Sequence, residues 1–237
     1  MLFTVLAKAE QTHIAVASNF VKPMKALIKK FEQENDHTIQ VSFASSGKLY
    51  SQIRNGAPYH LFFSADQEKP NQLVTDNLAS ADKVFTYAYG KLVLWSNDPN
   101  LIQDNETLLT DNFYKIAIAN PKLAPFGVAA QQTIESLELT SQLTPKIVRA
   151  ENVAQAHQFI STGNAELGFI AMGQVFADNH LVTGSVWVVP SNLYEPIQQS
   201  GVLLTAAENN VAARAFMLFL QSNEAKHIIQ GFGFKTE

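Results

Sequence analysis

The regular alternation of short apolar runs with helical stretches constrains this chain more than any other feature. "HIAVAS" (13–18) reads as a buried strand, and residues 20–31 then place Phe20, Met24, Leu27, Ile28 and Phe31 on one helical face. Pro23 is tolerated only in a first turn, so that helix must start just before it. "TIQVSF" (38–43) alternates Ile39, Val41 and Phe43 as a strand does. Leu49 and Ile53 stand four apart in a helix that Gly56 ends. Further strands are predicted at 61–65, 91–96, 115–120, 146–150, 167–172 and 185–190, and helices at 128–137, 153–161 and 209–222. Such alternation predicts an α/β architecture of parallel sheets with right-handed crossovers. Residues 86–99, "TYAYGKLVLWSNDP", and 196–205, "PIQQSGVLLT", read as two crossing segments. Two crossings divide the chain into two lobes, 1–86 plus 201–237 and 87–200, with the last helix returning to the first lobe. Ligands of α/β sheets bind at the carboxyl ends of strands, and a cleft between two lobes gathers several such ends.

Composition removes several classes of function. The 237 residues are 46% hydrophobic, enough for one large core or two smaller ones. Charged residues make up only 16%, the net charge is −4, and no basic stripe suited to nucleic acid is present. With no cysteine, disulfides, thiolate metal sites and cysteine nucleophiles are excluded. The six histidines are scattered without an H-x-x-x-H pair, so no protein-ligated metal is expected. No apolar run approaches the ~18 residues of a membrane helix. Ala7-Lys8-Ala9 has the A-x-A form of a signal-peptidase site behind a short apolar stub, and residues 1–9 read as the truncated end of an export signal. An ordinary N-terminus is the alternative.

The chemistry concentrates at strand-to-helix junctions. The first, "AVASNF", offers Ser18 and Asn19; the second, "FASSGK", offers Ser45, Ser46 and Gly47. In the third, "IANPKLAPFGVAA", Phe126 stands just before a helix, and in the fourth, "RAENVAQA", Asn152 caps a helix that Val153 begins. The first N–H groups of a helix lack internal partners and carry the positive end of the helix dipole. Junctions of this kind can hold an oxyanion with neutral donors. Each taken alone is equally an ordinary helix cap, since Ser and Asn are favoured there.

Other chemistries fit less well. "SGKL" has Leu49 after Lys48 and Ser42 where a phosphate-binding loop needs its first Gly. Ser45-x-x-Lys48 matches the S-x-x-K of Ser–Lys acyl hydrolases, but no S-D-N or K-T-G accompanies it. Asp66 and Glu68 read as a solvated helix start.

Taken together and in order, "AVASNF", "FASSGKLYSQI", "GAPYHLFFSADQEKP", "YAYGKLVLWS", "IANPKLAPFGVAA" and "AENVAQA" resemble the molybdate-binding proteins of bacterial ABC importers, from about residue 13 to the terminal "GFGF". The resemblance implies a two-lobed type II periplasmic binding protein fold with mixed sheets and a hinge. It implies a periplasmic, non-enzymatic monomer without cofactor that captures molybdate or tungstate and delivers it to a membrane permease. The oxyanion-binding residues it implies are Ser18, Asn19, Ser46, Phe126 through its backbone N–H and Val153 through its own; Ser45 then acts as a cap. Many members of that family carry a tyrosine where Ala171 stands, and a subgroup has a tyrosine in place of Phe126, so this chain has fewer side-chain donors. Another oxyanion, sulfate or phosphate, and a Ser45–Lys48 hydrolase are the alternatives.

Overall fold

The computed structural model describes residues 9–237; the export-signal reading of residues 1–9 falls almost entirely outside them. The first lobe opens with β1 (Gln11–Ala17), α1 (Val21–Glu34), β2 (Thr38–Ala44), α2 (Ser46–Arg54), β3 (Leu61–Phe63), α3 (Glu68–Thr75) and β4 (Ala79–Gly90). There follow β5 (Leu92–Ser96), β6 (Ile116–Ala119), α4 (Pro125–Ser136), α5 (Thr140–Leu143), β7 (Ile147–Ala150), α6 (Val153–Ser161) and β8 (Leu167–Ala171). The chain closes with β9 (Phe176–Ala177), β10 (His180–Leu181), β11 (Ser185–Val188), β12 (Ile197–Leu204), α7 (Val211–Leu220) and α8 (Asn223–Gly231). Among the described residues no helix is long and apolar enough to cross a membrane.

Two five-stranded sheets result, ordered β2-β1-β3-β12-β4 and β11-β5-β8-β6-β7. Both are mixed, not parallel as strand–helix alternation alone predicts. In the first, β12 runs antiparallel to β3 and β4; in the second, β5 runs antiparallel to β8 and β11. The chain leaves the first sheet at Gly90 and enters the second at Leu92, so the expected crossing strand over 86–99 is two strands joined at Lys91. It returns between Val188 and Ile197. The helix predicted at 209–222 ends at Leu220, and Ser222 caps a separate α8 by accepting from the Ala225 N–H.

Register places the junctions. Ala17 lies opposite Ala44, so β1 and β2 end level and the first two junctions emerge one strand spacing apart, ~4.8 Å. In the second sheet Ala119 lies opposite Ala150, which aligns the third and fourth junctions in the same way. The core of the second lobe, built on Leu94, Trp95, Ile118 and Phe169, also contains Ala17 and Ala65 from the strand ends of the first lobe. The edges that carry the four junctions therefore face each other.

Candidate oxyanion site

Each junction leaves neutral donors at a buried position. Ser18 and Asn19 open a 3-10 turn, Ser18–Phe20, before α1, and that turn packs against α6 of the other lobe. Ser46 is the first residue of α2 and is 1% exposed. Its Oγ accepts from the Ala65 N–H at 3.0 Å, so its own proton remains to be donated elsewhere. α4 begins at Pro125, three residues earlier than predicted, which places Phe126 inside the first turn, where N–H groups have no helical acceptor. Asn152 caps α6 as expected: its Oδ1 accepts from Ala154 N and Gln155 N, leaving the Val153 N–H uncommitted at the very start of the helix.

The structure brings the junctions together across the lobes. Gly47 N donates to Leu123 O at 3.0 Å, joining the second junction to the third. Lys48 Nζ pairs with Glu151 Oε1 at 2.7 Å, joining the second to the fourth. Asn19 Nδ2 donates to Gln199 Oε1 at 2.7 Å, tying the first junction to strand β12. A Cβ added at Gly90 would meet both the Phe126 ring, at 2.8 Å, and Gln199 Nε2, at 2.9 Å, so the third junction abuts the same Gln199. Beside these contacts a cavity of about 550 Å³ runs between the lobes, lined by Asp66, Lys69, Lys122 and Glu195. Leu123, Pro125, Val128 and Ile197 line it as well; the neutral donors do not line it and are almost fully buried.

One expectation needs correction, and one alternative loses its support. Ser45 occupies the N-cap position of α2, yet its Oγ makes no cap bond and is buried without a partner. Lys48 turns away from Ser45 to Glu151, so the nucleophile and base that the S-x-x-K reading requires are not paired.

The sequence reading also missed polar residues that support the site. Tyr87 and Gln199 are buried on β4 and β12, and Tyr87 Oη lies 3.0 Å from both Ser64 O and Gln199 Oε1. Burial, with the Asp66 carboxylate second, pushes the Tyr87 phenol well up, so it stays a neutral O–H. Gln174 ties the end of β8 to the fourth junction: its Oε1 accepts from Ala171 N at 2.9 Å and its Nε2 donates to Val153 O at 3.1 Å. From the other lobe, Lys22 Nζ donates to the Gln174 carbonyl, and burial holds its pKa below the ordinary lysine value. Among the described residues no cluster of three His, Cys, Asp or Glu could hold a metal ion.

Two mixed sheets, hinge strands crossing between them and a cleft lined by strand-to-helix junctions define a type II periplasmic binding protein fold. The chain belongs to the family described as bacterial extracellular solute-binding protein, which it matches over residues 12–235. Within that family it is similar to the molybdate-binding protein ModA of Azotobacter vinelandii, at 44% identity over 98% of this chain and 93% of that one. The ModA of Rhodobacter capsulatus is 41% identical over 98% of this chain and 90% of its own length. In three dimensions it superposes on the periplasmic molybdate-binding protein of A. vinelandii with a TM-score of 0.92 at 38% identity, covering 95% of this chain and 99% of that one.

Proposed function

We propose that this protein captures molybdate, and with it tungstate, outside the cytoplasm and hands it to the membrane permease of an ABC importer, acting as a monomer and without catalysis. The donors are the Ser18 and Ser46 hydroxyls, the Asn19 amide and the backbone N–H groups of Phe126 and Val153. The lobes are 1–86 with 201–237, and 87–200, and the ligand sits between them. One observation carries this reading: neutral donors, almost fully buried, stand at junctions of both lobes that interlock through Gly47–Leu123 and Lys48–Glu151. Hydrogen bonds to a charged ligand contribute ~1.5–3 kcal/mol each, so a handful offset dehydration of a dianion. Phosphate is less suited. It arrives carrying a proton that needs an acceptor, and Glu151, the carboxylate at the fourth junction, is already paired with Lys48.

The test is calorimetry and thermal shift with molybdate, tungstate, sulfate, phosphate and chloride. Molybdate raises the melting temperature and binds with 1:1 stoichiometry; chloride does neither. Tighter binding of sulfate or phosphate than of molybdate would reassign the ligand, and binding of none would remove the function.

A further inference from the structure

Gln199 is fully buried on β12, far in sequence from every junction, and it touches Asn19 and Tyr87. With the two amides oriented as in these contacts, two buried atoms have no partner, Asn19 Oδ1 and Gln199 Nε2. Tyr87 has a single proton but two acceptors at 3.0 Å, Ser64 O and Gln199 Oε1, and can serve only one. An Asn19 oxygen left free in a cleft that holds a dianion would also repel the ligand.

Exchanging oxygen and nitrogen in both amides leaves every heavy-atom distance unchanged, because the two ends of a carboxamide have the same shape. Gln199 then donates one proton to Asn19 Oδ1 at 2.7 Å and the other to Tyr87 Oη at 3.0 Å, while Tyr87 donates to Ser64 O at 3.0 Å. Each donor in the chain has its own acceptor. The Gln199 oxygen takes the place beside Gly90 that its nitrogen held, a place with no donor to lose. The Asn19 NH2 takes the place of the unpartnered oxygen.

We propose that Gln199 is a positioning residue. Held by Tyr87, it fixes the Asn19 amide with its NH2 toward the oxyanion, and so couples the hinge strands β4 and β12 to the ligand. This rests on the reading of the cleft as an oxyanion site. Only a backbone carbonyl, Ser64 O, ends the chain, so its direction is set by a group that cannot flip. Gly90 leaves the room the arrangement needs, since any side chain there would collide with both Gln199 and Phe126.

The experiment is a double-mutant cycle read by molybdate calorimetry on the full chain: wild type, Asn19→Ala, Gln199→Met and the pair. Asn19→Ala weakens binding about tenfold in the wild-type background, as loss of a donor to a charged ligand does. In the Gln199→Met background the same change costs less than about threefold, because an unoriented Asn19 has little left to lose. If Gln199 merely braced the hinge, both backgrounds would show equal losses, and additivity overturns the proposal. Should Gln199→Met fail to fold, the cycle is repeated with Tyr87→Phe, which removes the group that orients Gln199; non-additivity supports the proposal and additivity again overturns it. A wild type that binds no oxyanion defeats the functional reading instead, so the two failures are distinguishable.

Discussion

Gly47→Ala should make the ligand-free protein more stable and its ligand weaker, and the two effects come from different atoms. Gly47 is the second residue of α2, where glycine costs roughly 0.5–1 kcal/mol relative to alanine. In a chain of this size 1 kcal/mol moves the melting temperature by about 2–4 °C, so the ligand-free variant should melt about 1–4 °C higher. Closure reverses the sign. With the lobes together, the new Cβ stands 3.2 Å from Leu123 O and 3.3 Å from Leu123 Cα, tighter than an ordinary contact by a few tenths of an ångström. Both are backbone atoms of the segment leading into α4, so no side chain can rotate away. The lobes must part slightly, which stretches the 3.0 Å bond from Gly47 N to Leu123 O and draws the Phe126 N–H back from the ligand. Losing most of one such bond costs about 0.5–1.5 kcal/mol, or about two- to twelvefold in Kd. Calorimetry against molybdate and a ligand-free thermal melt read the two quantities separately. A higher melting point with unchanged or tighter binding would show that this contact does not govern closure, and the reasoning would fail.

Ser46→Ala should weaken molybdate by more than tenfold, about 1.5–3 kcal/mol for a lost donor to an anion, and should cost some stability because Ala65 N–H loses its acceptor; unchanged affinity removes Ser46 from the site. Glu151→Gln breaks a pair whose partners are about half exposed, so its effect on Kd stays below about fivefold at low salt and disappears near 1 M salt, where the screening length is ~3 Å. A loss that persists at high salt would mean Glu151 acts on the ligand directly. His60 is kept neutral by burial, with His13 adding repulsion, and its Nδ1 accepts from His13 N–H at 3.2 Å. Its pKa is lowered in the fold, so the unfolded chain binds the extra proton first. The stability His60 contributes is whole above about pH 6.5 and is lost as pH falls through the folded value. Urea midpoints measured across that window should fall less steeply for His60→Asn than for wild type, and identical slopes would refute the assignment.

What the sequence made legible was local. The helix start at Val153 follows from Asn152, whose side chain has one job, and the first turn of α1 follows from Pro23. The apolar alternation of Ile39, Val41 and Phe43 in β2, of which only Ile39 ends up buried, and the apolar run of β6 need no knowledge of their neighbours. The reading failed where structure depends on pairs. Nothing in "PIQQSGVLL" says that β12 inserts antiparallel between β3 and β4, and that insertion is what makes the first sheet mixed. Continuous apolar spacing carried the expected helix past Gln221, although Ser222 was available as a cap.

The site divides along the same line. The helix starts are properties of one junction and could be placed in advance, whereas the choice of Ser18, Ser46, Phe126 and Val153 as donors came from the family resemblance. The junction alone does not say whether Ser45 or Ser46 carries a useful proton, because that depends on the Ala65 N–H, just past the end of β3, reaching Ser46 Oγ. The Ser45–Lys48 alternative, already weak without its companion motifs, loses its base because Glu151 pairs with Lys48 from the opposite lobe. Gln199 and Tyr87 were passed over because they sit within strands, away from every junction, where a polar residue reads as an exposed face. The available signal was their company: Gln199 stands in a strand whose ends, Ile197 and Val202 to Leu204, are apolar and buried, and a buried amide there must find partners. A neutral grip on a dianion depends on the direction of each dipole, and direction is fixed by a second residue. The helix starts proposed to touch the ligand can therefore be placed from one segment each, whereas the residues proposed to aim them appear only once the chain has folded.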